Sequence, residues 1–147
     1  QIVTDAPAFN AYLSSNQSIS HNVYTKIAFD GTHFDTNSSF DSTTNYRFQP
    51  NIAGYYQINF TVFMANLPDT KTMVATIYKN GSSFHAPAQI SNGTNGYAGA
   101  GGGCVVYLNG TTDYIEGYTY QNSGVTLNAH GSANKNVTQI SGFLVSV

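Results

Sequence analysis

Tyr55-Tyr56-Gln57-Ile58-Asn59-Phe60-Thr61-Val62-Phe63-Met64 carries the clearest structural signal in the chain. Tyr56, Ile58, Phe60, Val62 and Met64 alternate with Tyr55, Gln57, Asn59 and Thr61, the period of two expected of a strand with one face in a core. Gly54 and Pro50 punctuate its start. Working outward, residues 73–79 read as a strand closed by Asn80-Gly81, the strongest short hairpin signal. Residues 103–109 and 112–121 read as strands joined at Asn109-Gly110. Residues 124–129 and 138–147 follow the same pattern, and residues 7–13, 23–29 and 46–48 fill the N-terminal third. Eight to ten short strands with frequent turn signals predict a sandwich or jelly roll.

The composition agrees. Charged residues make up 8 %, against about 25 % in average soluble domains, so polarity comes instead from 16 Asn, 16 Thr and 14 Ser. Helix formers are scarce, with 5 Leu and 1 Glu, while β-branched and aromatic residues abound, which is an all-β composition. No linker, charge block or internal repeat divides residues 1–147, so one domain is expected. A net charge of −2 with five scattered basic residues offers nucleic-acid phosphates no footprint. No apolar run approaches the roughly 18 residues of a membrane span, so no membrane insertion is expected. A lone cysteine, Cys104, excludes an internal disulfide. The chain opens on Gln1 rather than Met, which reads as a processed or excised piece of a longer protein.

Two strands are apolar on both faces: Cys104-Val105-Val106-Tyr107-Leu108, and the closing segment in which Ile140 and Leu144 point one way and Phe143, Val145 and Val147 the other. Such strands need a covering layer on each side. The opposite sheet supplies one cover. With no helical segment in the sequence, the second is a neighbouring subunit or the chain's own loops.

Catalytic chemistry finds little footing. There is no G-x-S-x-G elbow, and Cys104 within an apolar strand reads as a small hydrophobe. Asp113 and Glu116 stand at an odd spacing, which puts them on opposite strand faces. His21, His33, His85 and His130 lack zinc-ligand spacing. The oxygen-rich segment from Asp30 through Asp35 to Asp41 makes calcium the one candidate cofactor, against the plainer reading of Asx-capped turns. Glycines 93, 96, 99, 101, 102 and 103 have no following Lys to make a phosphate loop, and read as a flexible loop or a close backbone approach near a symmetry axis. Seven N-x-[ST] sequons only modestly exceed chance. Tyr114, Tyr118 and Tyr120 share a strand face with Glu116, and exposed tyrosines of that kind stack on sugars or anchor interfaces. Facing a core or subunit boundary is the plainer role for them.

Together the motifs resemble the C1q/TNF-like domains. Phe9-Asn-Ala-Tyr12 looks like the family's first strand. The segment Phe40-Asp-Ser-Thr-Thr-Asn-Tyr-Arg-Phe48-Gln-Pro50-Asn-Ile-Ala-Gly54-Tyr-Tyr56-Gln-Ile58 is similar to its central signature. Ile77-Tyr-Lys-Asn-Gly81 resembles its Lys-Asn-Gly hairpin, Val106-Tyr-Leu108-Asn-Gly110-Thr-Thr-Asp113-Tyr-Ile115 its Leu-x-x-Gly-Asp turn, and Ser141-Gly142-Phe143-Leu144 its closing strand. The spacing of Phe48 and Pro50 is one residue shorter than in vertebrate members, and Thr111 and Thr112 are inserted before Asp113. These departures, with the Asn/Thr/Ser/Tyr-rich texture, look more like C1q-like domains of bacteriophage fibre or virion proteins.

The resemblance implies a ten-stranded jelly-roll sandwich, a homotrimer, and recognition rather than catalysis. It places Tyr12, Val106, Leu108, Phe143 and Val145 at the trimer interface, and some family members bind calcium near the trimer apex. The expected function is a receptor-binding, adhesin-like head on a virion surface or in the extracellular space, whose partner is a host cell-surface glycan or protein. Its expected contacts lie on three loops and their flanks: His33, Asp35 and Asn37; Asn92, Asn95 and Tyr97; and Tyr118, Tyr120 and Asn122. A trimerisation or capsid-decoration module without a ligand site, and a soluble lectin-like protein, are the alternatives the sequence leaves open.

Overall fold

The computed structural model describes residues 5–91 and 96–147. Its elements are all strands: β1 (Ala8–Tyr12), β2 (Gln17–Ile19), β3 (Thr25–Lys26), β4 (Gly31–Asp35), β5 (Phe40–Asp41), β6 (Arg47–Phe48), β7 (Gly54–Leu67), β8 (Thr72–Lys79), β9 (Ser82–Ser91), β10 (Gly96–Leu108), β11 (Ile115–Gln121), β12 (Leu127–Ala129) and β13 (Gln139–Ser146). They form two antiparallel sheets. The first runs β2-β12-β7-β13-β1-β4, with β10 on the free edge of β7. The second runs β5-β6-β11-β8-β9, with β3 sharing an edge of β11.

The alternation in residues 55–64 is the organising feature. Tyr56, Ile58, Phe60, Val62 and Met64 are at most 1 % exposed and face the second sheet. β7 carries ladders along both edges, pairing with β10 from Leu67 to Gly54 on one side and with β13 and β12 on the other. A string of rings crosses the sandwich. Phe9 stacks on Phe48 at 4.2 Å and on Phe40 at 5.3 Å, Phe29 meets Phe40 and Phe60 edge-on, and Tyr56 meets Phe48 edge-on. The Tyr56 hydroxyl donates to the Ile52 carbonyl at 2.7 Å, and burial pushes its pKa up to about 12, so this buried phenol stays neutral.

Thirteen strands among the described residues replace the expected eight to ten, because β2, β3, β5, β6 and β12 are only two or three residues long. The Asn80-Gly81 hairpin forms with both residues at positive φ, 53° and 80°. Its second arm, β9, is largely exposed and contains Pro87, so it shows no alternation for the sequence to betray. Gly96 to Gly103, read as a loop or a close approach, are strand. Side chains of β7 occupy the space the glycines leave, the Phe63 ring against Gly99 and Thr61 against Gly101. Residues 31–35, read as part of a polar loop, form β4 at the edge of the first sheet.

Candidate functional site

The outward face of the first sheet is where exposure and apolar character coincide. Residues paired across a ladder project to the same side, so the register fixes the face of each residue. Val105 pairs with Gln57, and Gln57 with Phe143; Tyr107 pairs with Tyr55. Tyr55, Val105, Tyr107, Phe143 and Val145 are each between 46 % and 53 % exposed. The Tyr55 and Tyr107 rings meet at 5.4 Å. Five large apolar side chains on three adjacent strands thus form one uncovered patch. The cross-strand row Asn10, Ser141, Asn59 and Gly103 continues the face as a flat, uncharged surface. Among the described residues no loop covers the patch.

The same register corrects two residues. Val106 and Leu108, expected at a subunit boundary, pair with Tyr56 and Gly54 and are 2 % and 0 % exposed. They belong to the chain's own core. The strand is two-sided, and its outward members are Val105 and Tyr107. Phe143 and Val145 do face outward. Tyr12 lies on that face as well, half-buried between the His33 ring at 4.9 Å and the Lys135 ammonium at 5.3 Å.

The expected ligand contacts fall in three separate places. His33 stands exposed on β4, its Nε2 2.8 Å from the Lys135 carbonyl. Asp35 accepts hydrogen bonds from the Ser39 and Phe40 N–H groups, and the Asn37 amide donates to the Asp5 carbonyl. Tyr97, 64 % exposed, leans on the His130 ring on β10's side of the first sheet. Asn92 and Asn95 lie outside the described residues. Tyr118 and Tyr120 are in the second sheet, with one face of Tyr118 stacked 3.7 Å from Tyr78 and Tyr120 stacked on Tyr24. The Tyr120 hydroxyl donates to the Asn22 side chain, and Asn122 accepts from the Thr72 N–H. Among the described residues no hydrogen bond or ring contact joins the three groups. Most of these polar atoms serve turns, and Tyr118 and Tyr120 each have one ring face stacked on a neighbouring tyrosine.

The oxygen-rich segment spends its carboxylates in the same way. Asp30 caps Ser14 through its N–H and hydroxyl, Asp35 caps the turn into β5, and Asp41 accepts from the N–H groups of Thr43, Thr44 and Asn45. Among the described residues no three His, Cys, Asp or Glu side chains gather as a metal site. The two acids flagged on β11 and its approach have separate lysine partners: Glu116 with Lys26 at 2.8 Å and Asp113 with Lys79 at 3.4 Å. Cys104 is half-buried, and burial raises its thiol pKa, the opposite of what a nucleophile needs.

These caps set an acid limit on the fold. The Thr44 N–H, followed by that of Thr43, holds the Asp41 carboxyl well below its usual range, and the hydrogen bond from the Asn80 side chain lowers that of Asp113. A depressed carboxyl stabilises the fold above its unfolded pKa, near 3.8, and that contribution disappears as pH falls below it toward the folded value. The melting midpoint is therefore expected to hold from pH 7 to 5 and to drop below pH 4. In Asp41→Asn it should be lower at pH 7 and fall less steeply in acid. Thermal scans at pH 7, 5, 4 and 3 check both.

Two packed antiparallel sheets with this strand order, an aromatic core and an uncovered outer face define a jelly roll of the TNF-like class. The structure is similar to Eiger TNF from S. frugiperda, with a TM-score of 0.66 and 10 % identity over 97 % of this chain and 94 % of that one. It is similar to murine APRIL, with a TM-score of 0.65 and 13 % identity over 95 % and 99 %. It is also similar to the PRD1 vertex protein P5, with a TM-score of 0.63 and 18 % identity over 99 % and 100 %. The family model of the C1q domain matches residues 8–145, and the chain belongs to that family. No curated protein matches it by sequence.

Proposed function

We propose that this C1q domain is a homotrimeric, non-enzymatic recognition head on a virion or fibre surface, binding a host surface glycan or protein. The observation that carries the reading is the uncovered patch of Tyr55, Val105, Tyr107, Phe143 and Val145. Contiguous exposed apolar surface on a soluble domain marks an interaction site, and a second and third copy of the chain are the occupants this fold class suggests. The likeness to a phage vertex protein supports the virion setting. Display on three subunits would convert weak single-site binding into useful avidity. No helix among the described residues is long and apolar enough to cross a membrane.

Light scattering on a size-exclusion column tests the assembly. The expected mass is three times the 15.8 kDa chain. A chelator is expected to leave it unchanged, because Asp30, Asp35 and Asp41 are committed to capping bonds. A monomer would remove the main physical argument. The labelled trimer is then applied to an array of bacterial and animal surface glycans and to whole cells. Retention on a defined subset is expected, and absence of binding to all of them would overturn the recognition role in favour of a structural trimerisation module.

A further inference from the structure

A cleft of about 310 Å³ opens at the second sheet, between the β5–β6 hairpin, the segment leading into β7 and the β10–β11 turn. It shares no residue with the exposed apolar patch on the outer face of the first sheet. Its walls are tied together: Gln49 donates through its amide to the Thr111 carbonyl at 2.9 Å and through its N–H to the Ser39 carbonyl at 2.8 Å.

Two charged side chains line this cleft, and they differ in what they have left to offer. Asp41 receives five hydrogen bonds, from the N–H groups of Thr43, Thr44 and Asn45, the Thr43 hydroxyl and the Asn45 amide. Its lone pairs are used up. Arg47 sits opposite on the hairpin, paired through the backbone with Asp41. Its guanidinium lies 4.2 Å over the Tyr114 ring. Among the described residues it makes no ion pair and no side-chain hydrogen bond, while Lys26 and Lys79 each hold a carboxylate. A guanidinium fixed in plane by an aromatic face, with its donors unspent, is a fork set for a planar, bidentate acceptor.

We infer that the cleft binds a single sugar unit carrying a carboxylate, with Arg47 gripping the carboxylate and the hydroxyl and amide lining holding the ring. The ligand class rests on the recognition role proposed above. Ser38, Asn45 and Asn51 supply polar edges, and Phe40 and Pro50 supply apolar patches, the mixture a pyranose presents in return. The volume is at the small end of ligand pockets, about 300–1,000 Å³, which suits one sugar unit. Asp41 and Arg47 leave the cleft formally neutral. With no surplus positive charge, attraction for an anion comes from the unspent Arg47 donors alone, which suits one carboxylate better than a phosphate dianion.

The test is an amide-resolved NMR titration of the ¹⁵N-labelled full chain with methyl β-D-glucuronide, methyl β-D-glucoside, acetate and inorganic phosphate. Glucuronide should shift the amides around residues 38–41, 47–51 and 110–111 with saturation, and glucoside should bind at least about tenfold more weakly, a difference of about 1.4 kcal/mol. Arg47→Lys should weaken glucuronide binding and Arg47→Gln should abolish it, each with an otherwise unchanged spectrum. Glucoside binding equally well, acetate or phosphate reproducing the shifts, or an unaffected Arg47→Gln would each overturn the site. The wild-type selectivity stands as a test even if a variant fails to fold. Glycan-array retention that survives while glucuronide fails to bind would sink this site alone, whereas an array with no retention sinks the recognition role.

Discussion

Val105→Asp is expected to convert trimers into folded single chains, while Val106→Asp, one residue along, is expected to prevent folding. Val105 is 52 % exposed in the uncovered patch, beside Gln57 and in one cross-strand row with Phe143. In a trimer built on that face, three aspartates would enter one apolar interface without partners. An uncompensated buried charge costs several kcal/mol, and symmetry imposes it in every subunit, so the assembly should dissociate at micromolar concentration. The fold should survive, since the single chain already leaves Val105 half in water. Val106 is 2 % exposed and pairs with Tyr56 inside the sandwich. An aspartate there has no partner and no water, and the loss rivals the whole stability of a domain this size. Light scattering and far-UV circular dichroism on the two variants read both outcomes. Intact trimers of Val105→Asp would place the subunit interface elsewhere.

That pair of neighbours also shows where the sequence stopped being legible. Period-two alternation placed β7, and with it the core row from Tyr56 to Met64, because one face met the second sheet and the other did not. In β10 both faces are apolar, so alternation carries no information about which face is inward. Only the ladder with β7 settles it, and ladder register is a long-range property. The glycines of β10 read as a loop for a related reason. Their strand conformation is sustained by side chains of β7 filling the space above them, which no local pattern displays. The candidate site was less legible still. Arg47 carries no functional signature in the sequence, since an isolated arginine is ordinary. Its importance comes from Tyr114, 67 positions later, and from Asp41 being occupied by its own turn. One signal was available in retrospect: Asp41-Ser-Thr-Thr-Asn45 is a capped-turn sequence, and a capped aspartate is a poor partner for the cation across the hairpin.

Phe9→Ala is expected to cost about 3–5 kcal/mol and to loosen the wall of the cleft. Phe9 is fully buried on β1 and stacks on both Phe40 and Phe48, so one ring from the first sheet anchors the short hairpin that carries Asp41 and Arg47. That hairpin has two paired residues in each strand, too few to hold its shape through backbone bonds alone. Truncation removes the ring's transfer energy and leaves a cavity that rigid neighbours on both sheets cannot fill. For a chain of this length, the midpoint at fixed protein concentration should fall by about 10 °C. Phe9→Leu should recover roughly half of it, because part of the volume returns without the stacking. The exposed control Val125→Ala should stay within about 0.5 kcal/mol of wild type. Hydrogen exchange separates a general loss of stability from a local one. In Phe9→Ala, amides of residues 40–48 should lose more protection than those of β8 and β11, and glucuronide affinity should fall with them. Uniform loss across both sheets would mean that the hairpin is held by its own turn and not by the ring string.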